Sequence, residues 1–214
     1  MNISQRLENI YSGAIHDVLC KEGYRDCVLP PKLSPLNPDC HLAGKVFTMS
    51  GQMLTSLDDH KTLLEWTGML SRVPAGTVLI CQPNDNSMAH MGELSAEALK
   101  LRGVKGYIVD GGCRDSELIE KLGFPVFCKY YTPKDIVGSW IPNRLGEQIQ
   151  IGDVVIESGD YVVGDRDGVV VIPQLIVPKV TEEAEKVLST ENLVRKAIID
   201  GEDPQVAFLK YGKF

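Results

Sequence analysis

From Gly44 onward the chain alternates short β-prone runs with segments of helical period, and that alternation limits the folds open to it more than any other feature. Runs at Lys45 to Met49, Thr77 to Cys81, Tyr107 to Val109 and Val126 to Cys128 have strand composition. Between them, roughly Leu57 to Ser71, Gly92 to Arg102 and Ser116 to Leu122 carry apolar residues at helical spacing. Strand, helix, strand in series predicts α/β layering on an at least partly parallel sheet. Beyond Gly152 the pattern changes to Val154 to Glu157, Tyr161 to Val163 and Val169 to Ile172. Their separators, Ser158-Gly159 and Asp165 to Gly168, read as tight turns and predict antiparallel pairing of successive runs.

The flanks are helical. Gln5 to Glu22 places Leu7, Ile10, Ala14, Ile15, Val18 and Leu19 on one face and is followed by Gly23, which predicts a single amphipathic helix. Pro30 to Asp39 holds four prolines and reads as a linker across the surface. Gln174 to Asp200 predicts a charged amphipathic helix, and Gly201 to Phe214 a shorter one; neither holds a heptad, so both suit packing on a partner. At 214 residues the expectation is one α/β domain, 1–214, with the helix and linker in 1–43, the core and site in 44–173 and the C-terminal helices in 174–214.

A net charge of −7 supplies no basic field for nucleic acid or an anionic membrane. No apolar run spans a bilayer, and the N-terminus lacks the basic start and apolar stretch of a signal peptide. Six scattered cysteines without a Cys-x-x-Cys pair read as reduced thiols of a cytoplasmic protein and argue against a zinc site.

Chemistry concentrates at Gly106 to Asp115, a buried run that ends in Gly111-Gly112 and delivers Arg114 and Asp115 just before a helix. Ligands of open α/β sheets bind beyond the carboxyl ends of strands, and the two glycines would let one approach the backbone. A guanidinium beside a carboxylate offers an anion clamp and a hard-cation ligand. The plainer reading makes Asp115 a helix cap and Arg114 a surface ion pair. Met91 to Ser95 opens the preceding helix, where free amides could receive a carboxylate, although Glu93 could be no more than a first-turn acid. Twenty residues separate Glu93 from Arg114, enough for one helix and one strand, so the two loops are expected to face one another.

Other groups carry less. His90 with Glu93 makes a two-ligand pair at one helical turn; His16-Asp17 and Asp58-Asp59-His60 read as helix-start residues, and His41 sits in a loop. Asp85-Asn86-Ser87 reads as a turn and Asp165 to Gly168 as a hairpin turn. Among Lys100, Lys105 and Lys129, only Lys129 follows a strand closely enough to be a Schiff-base candidate, and a solvated end suits it better. Neither a dinucleotide fingerprint nor a Walker loop is present.

Gly92-Glu93-Leu94, then Arg114-Asp115 after the twenty-residue gap, Gly123-Phe124-Pro125-Val126, Gly152-Asp153-Val154 and Asp165-Arg166-Asp167-Gly168-Val169 together resemble the 4-hydroxy-4-methyl-2-oxoglutarate aldolases. That family includes regulators of ribonuclease E activity and was once mislabelled as menaquinone methyltransferases. The resemblance covers most of the chain and is strongest from Gly92 to Pro173. It implies a swivelling phosphohistidine-domain-like β/β/α layered fold with helical extensions, assembled as a homotrimer or homohexamer. It implies Mg2+ or Mn2+ held directly by Asp115, and through water by Glu93 and by Glu191 of a neighbouring subunit. It implies that Arg114 binds a small 2-oxo acid whose carboxylate meets the amides of Gly92, Glu93, Leu94 and Ser95. Many relatives carry Asp where this chain has Glu93, which bears on substrate preference. The implied activity is lyase cleavage of a 4-hydroxy-2-oxo acid through a pyruvate enolate, with oxaloacetate decarboxylation as a side activity. Two rivals remain open: a non-catalytic regulator that docks on a ribonuclease, and a sugar-acid lyase or dehydratase using the same enolate logic.

Overall fold

The computed structural model describes all 214 residues. In chain order the elements are α1 (Ile3–Leu7), α2 (Ser12–Lys21), β1 (Ser34–Pro35), β2 (Leu42–Met53), α3 (Asp59–Arg72), β3 (Thr77–Gln82), α4 (Glu93–Leu101), β4 (Gly106–Val109), β5 (Gly112–Cys113) and α5 (Ser116–Leu122). There follow β6 (Val126–Cys128), β7 (Tyr130–Tyr131), β8 (Trp140–Leu145), β9 (Ile149–Ile151), β10 (Val154–Ile156), β11 (Tyr161–Asp165), β12 (Gly168–Ile172), α6 (Val177–Ile199) and α7 (Pro204–Tyr211).

The main sheet runs β1-β6-β4-β3-β2-β11-β12, with β8 also on β2. Strands β2, β3, β4 and β6 are parallel neighbours joined through α3, α4 and α5, the βαβ series expected from the alternation. Period-two alternation sorts the strand residues onto two faces. Leu79, Cys81, Tyr107 and Val109 pack under the helices with Trp66, Met69, Leu99 and Ile119. Val78, Ile80 and Ile108 face the other way, against Ile149, Ile151, Val154 and Ile156 of the β9-β10 hairpin. Hairpin, sheet and helices thus form the β/β/α layers of the expected fold. A third core joins α1 and α2 to α6. No helix is long and apolar enough to cross a membrane.

Three local expectations are corrected, and one long strand is added. The single helix over 5–22 is two helices, because Tyr11 is extended (φ −74°, ψ 156°) and α2 restarts at Ser12. Asp165 makes the restart favourable: its carboxylate accepts from the Ser12 amide at 2.7 Å and the Ser12 hydroxyl at 2.8 Å. Leu7 and Ile10 stay buried across the break, so the apolar period could not reveal it. The Pro-rich segment is more than a surface linker, since Ser34-Pro35 pairs with β6 and Leu33 and Leu36 are buried. Proline tolerates this edge position. Strand β10 pairs with β9 rather than β11, so Ser158-Gly159 is a crossing between layers and not a hairpin turn. Strand β8 went unread because Pro142, Asn143 and Arg144 dilute its β signal.

Candidate active site

Three loops beyond the carboxyl ends of β3, β4 and β6 are knitted together by backbone hydrogen bonds. The Arg114 amide donates to the Met91 carbonyl at 2.9 Å, the Ala89 amide to Lys134 at 2.8 Å and the Thr132 amide to Cys113 at 3.1 Å. The Tyr107 hydroxyl, rising from β4, donates to the His90 carbonyl at 3.0 Å. The loops after β3 and β4 therefore do face each other, as the spacing predicts.

Asp115 occupies the N-cap position of α5 in the left-handed region (φ 55°), with no capping bond from its side chain. Aspartate tolerates that conformation better than most residues, yet it still costs on the order of 1 kcal/mol. The carboxylate instead crosses to the neighbouring loop, where Oδ2 accepts from the Glu93 amide at 3.1 Å. It thereby caps α4, whose own N-cap is Gly92 with no side chain to offer. The helix-cap reading was right in kind and wrong in helix. A side chain at residue 92 would place its Cβ 2.8 Å from Asp115 Oδ2 and 3.1 Å from Arg114 Nε, so the close approach requires glycine there. Gly111 and Gly112 answer a different need from the one expected. They admit the His90 ring and the Met88 carbonyl rather than a ligand, since a Cβ would meet these at 2.8 and 2.5 Å.

Arg114 Nη1 lies 3.0 Å from Asp135 Oδ2, and its Nε 3.6 Å from Asp115 Oδ2. All three side chains are partly open, at 36 to 40 % exposure, so Arg114 is no buried structural pair. Together with Gly92, Glu93, Leu94 and Ser95 they line a cavity of about 540 Å3 that Trp66, Leu70, Ile136 and Val137 wall on another side. The Trp66 indole donates to Ser95 Oγ at 2.9 Å. Beyond the Glu93 amide, the first-turn amides of Leu94 and Ser95 have no intrahelical acceptor and are available to an anion.

Asp135 was missed by sequence reasoning. The argument that singled out the loop after β4 applies equally to the loop after β6 and β7, and Pro133-Lys134-Asp135 was the signal there. Glu191 lies apart from this cavity, on α6, where Oε2 accepts from the Tyr11 hydroxyl at 2.5 Å and Oε1 sits 3.4 Å from Lys213 Nζ. It lines a separate cleft of about 290 Å3 with Val194, Ile198 and Phe214.

The remaining candidates resolve simply. His90 does not ligate alongside Glu93: it is fully buried, ring edge to face with Trp140 at 5.0 Å, and burial pushes its pKa down to about 4. Asp85 spends its carboxylate on the amides of Ser87 and Met88 and the Ser87 hydroxyl, the turn role expected of it. Asp58 caps α3 through the Lys61 amide. Lys129 is less solvated than expected, with Nζ 2.5 Å from Asp110 Oδ1 in an ion pair outside hydrogen-bond alignment. That charge partner argues against an amine kept neutral for a Schiff base.

Could the floor of the cavity hold a cation? Its ligating side chains, Glu93, Asp115 and Asp135, offer only oxygen. No three His, Cys, Asp or Glu converge as a ready-made cage. One or two carboxylates with retained water suit Mg2+ or Mn2+ and not a soft metal, so the residues fit the ion that the resemblance implies. Asp115 Oδ1 is the open ligand atom, because the hydrogen bond to Glu93 uses Oδ2.

Comparison with known proteins agrees with this architecture. An uncharacterised protein of Methanocaldococcus jannaschii is 37% identical over 52% of this chain, which spans about half, 53%, of that protein's length. A Halalkalibacterium halodurans protein whose name marks it as a candidate 4-hydroxy-4-methyl-2-oxoglutarate aldolase is 30% identical over 80% of this chain and 79% of its own. The crystal structure of a Streptomyces coelicolor member of the RNase ES inhibitor RraA family superposes with TM-score 0.79 at 24% identity, covering 90% of this chain and 95% of that one, a likeness of fold. A sequence model described as RraA-like, Aldolase/RraA, matches residues 12–171. On these matches the chain belongs to the RraA-like, Aldolase/RraA family.

Proposed function

We propose that this protein is a divalent-cation-dependent lyase that cleaves 4-hydroxy-2-oxo acids to pyruvate and a carbonyl product. The observation that carries the proposal is Asp115. A strained carboxylate is held across two loops by a backbone amide, beside a guanidinium, on the floor of a cavity. Strain kept at such a point accords with a functional site.

Cleaving the C3–C4 bond requires loss of the C4 hydroxyl proton, formation of the C4 carbonyl, and transfer of the bonding pair to C3 as an enolate. Arg114 binds the substrate's carboxylate and 2-oxo oxygen through its planar donors, and the Leu94 and Ser95 amides take the second carboxylate oxygen. Asp135 holds the guanidinium in that orientation from the far side. Glu93, at the first turn of α4, takes the C4 hydroxyl proton through a water. The departing enolate is reprotonated at C3, which gives pyruvate. Asp115 would hold a divalent cation, which would supply positive charge to oppose the negative charge of the enolate. Oxaloacetate decarboxylation passes through the same enolate and is expected as a lesser activity.

Leu94 and Leu118 line the cavity and lie exposed, Leu94 at 77 %. Apolar side chains so placed fit cover by further copies, in accord with a homotrimer or homohexamer. The test is a coupled pyruvate-release assay on 4-hydroxy-2-oxo acids and oxaloacetate, with Mg2+ or Mn2+ and with excess chelator. Release that depends on the ion supports the lyase; no release from any substrate, together with recovery of a ribonuclease in a pull-down, favours the regulator instead.

A further inference from the structure

The cavity's charges are lopsided in a way that bears on the far end of the substrate. Arg114 is the only positively charged side chain of this chain lining it, buried His90 being neutral, against Glu93, Asp115 and Asp135. The two nearest loop lysines are turned elsewhere: Lys134 Nζ points to Ser87 Oγ at 3.5 Å, and Lys129 is paired with Asp110. Neither lines the cavity. Once Arg114, the α4 amides and the cation proposed at Asp115 are committed to the 2-oxo acid end, a second carboxylate would meet acids, one threonine hydroxyl or hydrocarbon of this chain. Leaving an ion without a partner in such surroundings is costly.

Most of the remaining lining is apolar. Leu63, Trp66 and Leu70 come from α3, Ala98 from α4, and Ile136 and Val137 from the loop that carries Asp135. Trp66, Leu70 and Ile136 are each less than 10 % exposed, so the wall is packed from behind. The one polar atom of Trp66 is committed to Ser95, which fixes the indole in the wall, while half-exposed Leu63 and Leu118 present open hydrocarbon to a ligand.

From this arrangement we infer that the site prefers 4-hydroxy-2-oxo monocarboxylates bearing an apolar C4 substituent over substrates with a carboxylate at C4. The inference rests on the lyase reading and narrows it. The reaction is then a retro-aldol cleavage of the C3–C4 bond that releases pyruvate and an aliphatic or aromatic aldehyde or ketone, with no oxidant or second substrate. Oxaloacetate, whose departing group is itself a carboxylate, falls with the disfavoured class.

The experiment compares kcat/KM for pyruvate release, in Mg2+, from 4-hydroxy-2-oxopentanoate, -hexanoate and -heptanoate against 4-hydroxy-4-methyl-2-oxoglutarate. Each added methylene is expected to raise kcat/KM roughly fourfold until the wall is filled. The best alkyl substrate should exceed the diacid by at least about tenfold. A second arm uses Leu63→Arg, at a half-exposed helix position that tolerates a long side chain. It should move the ratio toward the diacid by about tenfold with the melting temperature unchanged. Preference for the diacid in the unmodified protein, or a ratio unmoved in Leu63→Arg, overturns the inference while the lyase reading stands. Absence of pyruvate from every substrate overturns both.

Discussion

Two ionic clusters of similar composition line separate clefts of this fold, and they differ in how their acids are partnered. In the first, between the terminal helices, Lys213 Nζ lies 2.9 Å from Asp17 and 3.4 Å from Glu191, and Tyr11 donates to Glu191. Lys213 holds the Asp17 carboxyl below its ordinary range, and Asp17 in turn raises the Lys213 ammonium. Every acid there has a partner and no backbone is strained. At the cavity, Asp115 and Asp135 share one guanidinium, Glu93 has no ionic partner, and Asp115 sits at φ 55°. Fully partnered acids hold helices together; an acid without a partner beside a strained backbone leaves binding capacity for something else.

The comparison breaks most decisively at Asp115. Asp115→Asn keeps a residue that tolerates the left-handed region and can still accept from the Glu93 amide, so the fold should survive. Loss of the negative charge should lower pyruvate release by about a thousandfold or more, and excess chelator should do the same to the unmodified protein. Full turnover under either condition would make the cavity cluster as structural as the terminal one. Arg114→Lys keeps the charge but loses the planar two-point contact, and kcat/KM should fall by about a hundredfold.

The parallel strands and their helices were legible in the sequence because burial writes period two and period 3.6 directly into residue order. The break at Tyr11 and the pairing of β10 with β9 were not. The break at Tyr11 is decided by a partner remote in sequence, Asp165 on the Ser12 amide. The β9-β10 pairing is local, across Gly152-Asp153, and was missed because a three-residue run at Ile149 to Ile151 is too short to read as a strand. The site divides the same way. Glycines and charged residues marked the loops at Gly92 and Arg114, and the strand-end rule aligned them. The direction of the Asp115 carboxylate depends on a contact with Glu93 across 22 positions, and the role of Asp135 on one with Arg114. No local pattern encodes either contact.

Acid should separate the two regions of the molecule. Buried His90 takes its proton near pH 4 in the fold and near 6.5 when unfolded, so the unfolded chain binds more protons between those values. Stability therefore declines as pH falls from 6.5 toward 4, by up to about 3 kcal/mol. The Asp17 pair depends on pH with the same sign in a lower window: its contribution is intact above the ordinary aspartate range and is lost as pH falls toward the depressed folded value. Melting curves across this range should slope in the unmodified protein and flatten between pH 6.5 and 4 in His90→Phe. An unchanged slope would place the acid sensitivity elsewhere. Asp135→Asn should cost less, about a tenfold rise in KM with little change in kcat, because it loosens Arg114 without removing it. A loss confined to kcat would instead put Asp135 in the proton path.

The smallest expected change concerns the terminal cluster and decides what Glu191 is for. Tyr11→Phe removes one hydroxyl from a partly exposed contact, worth no more than about 1 kcal/mol, so the melting temperature should fall by at most roughly 2–4 °C for a chain of this size. If Glu191 serves only to tie α6 to the N-terminal segment, kcat and KM stay where they were. A neighbouring subunit that draws Glu191 toward its own cavity must first take it from Tyr11 and Lys213. In that case removing the hydroxyl lowers the cost of release, and kcat changes by more than the stability does. Measuring both quantities on this one variant separates a structural tie from a shared acid, because only the shared acid couples the two clusters.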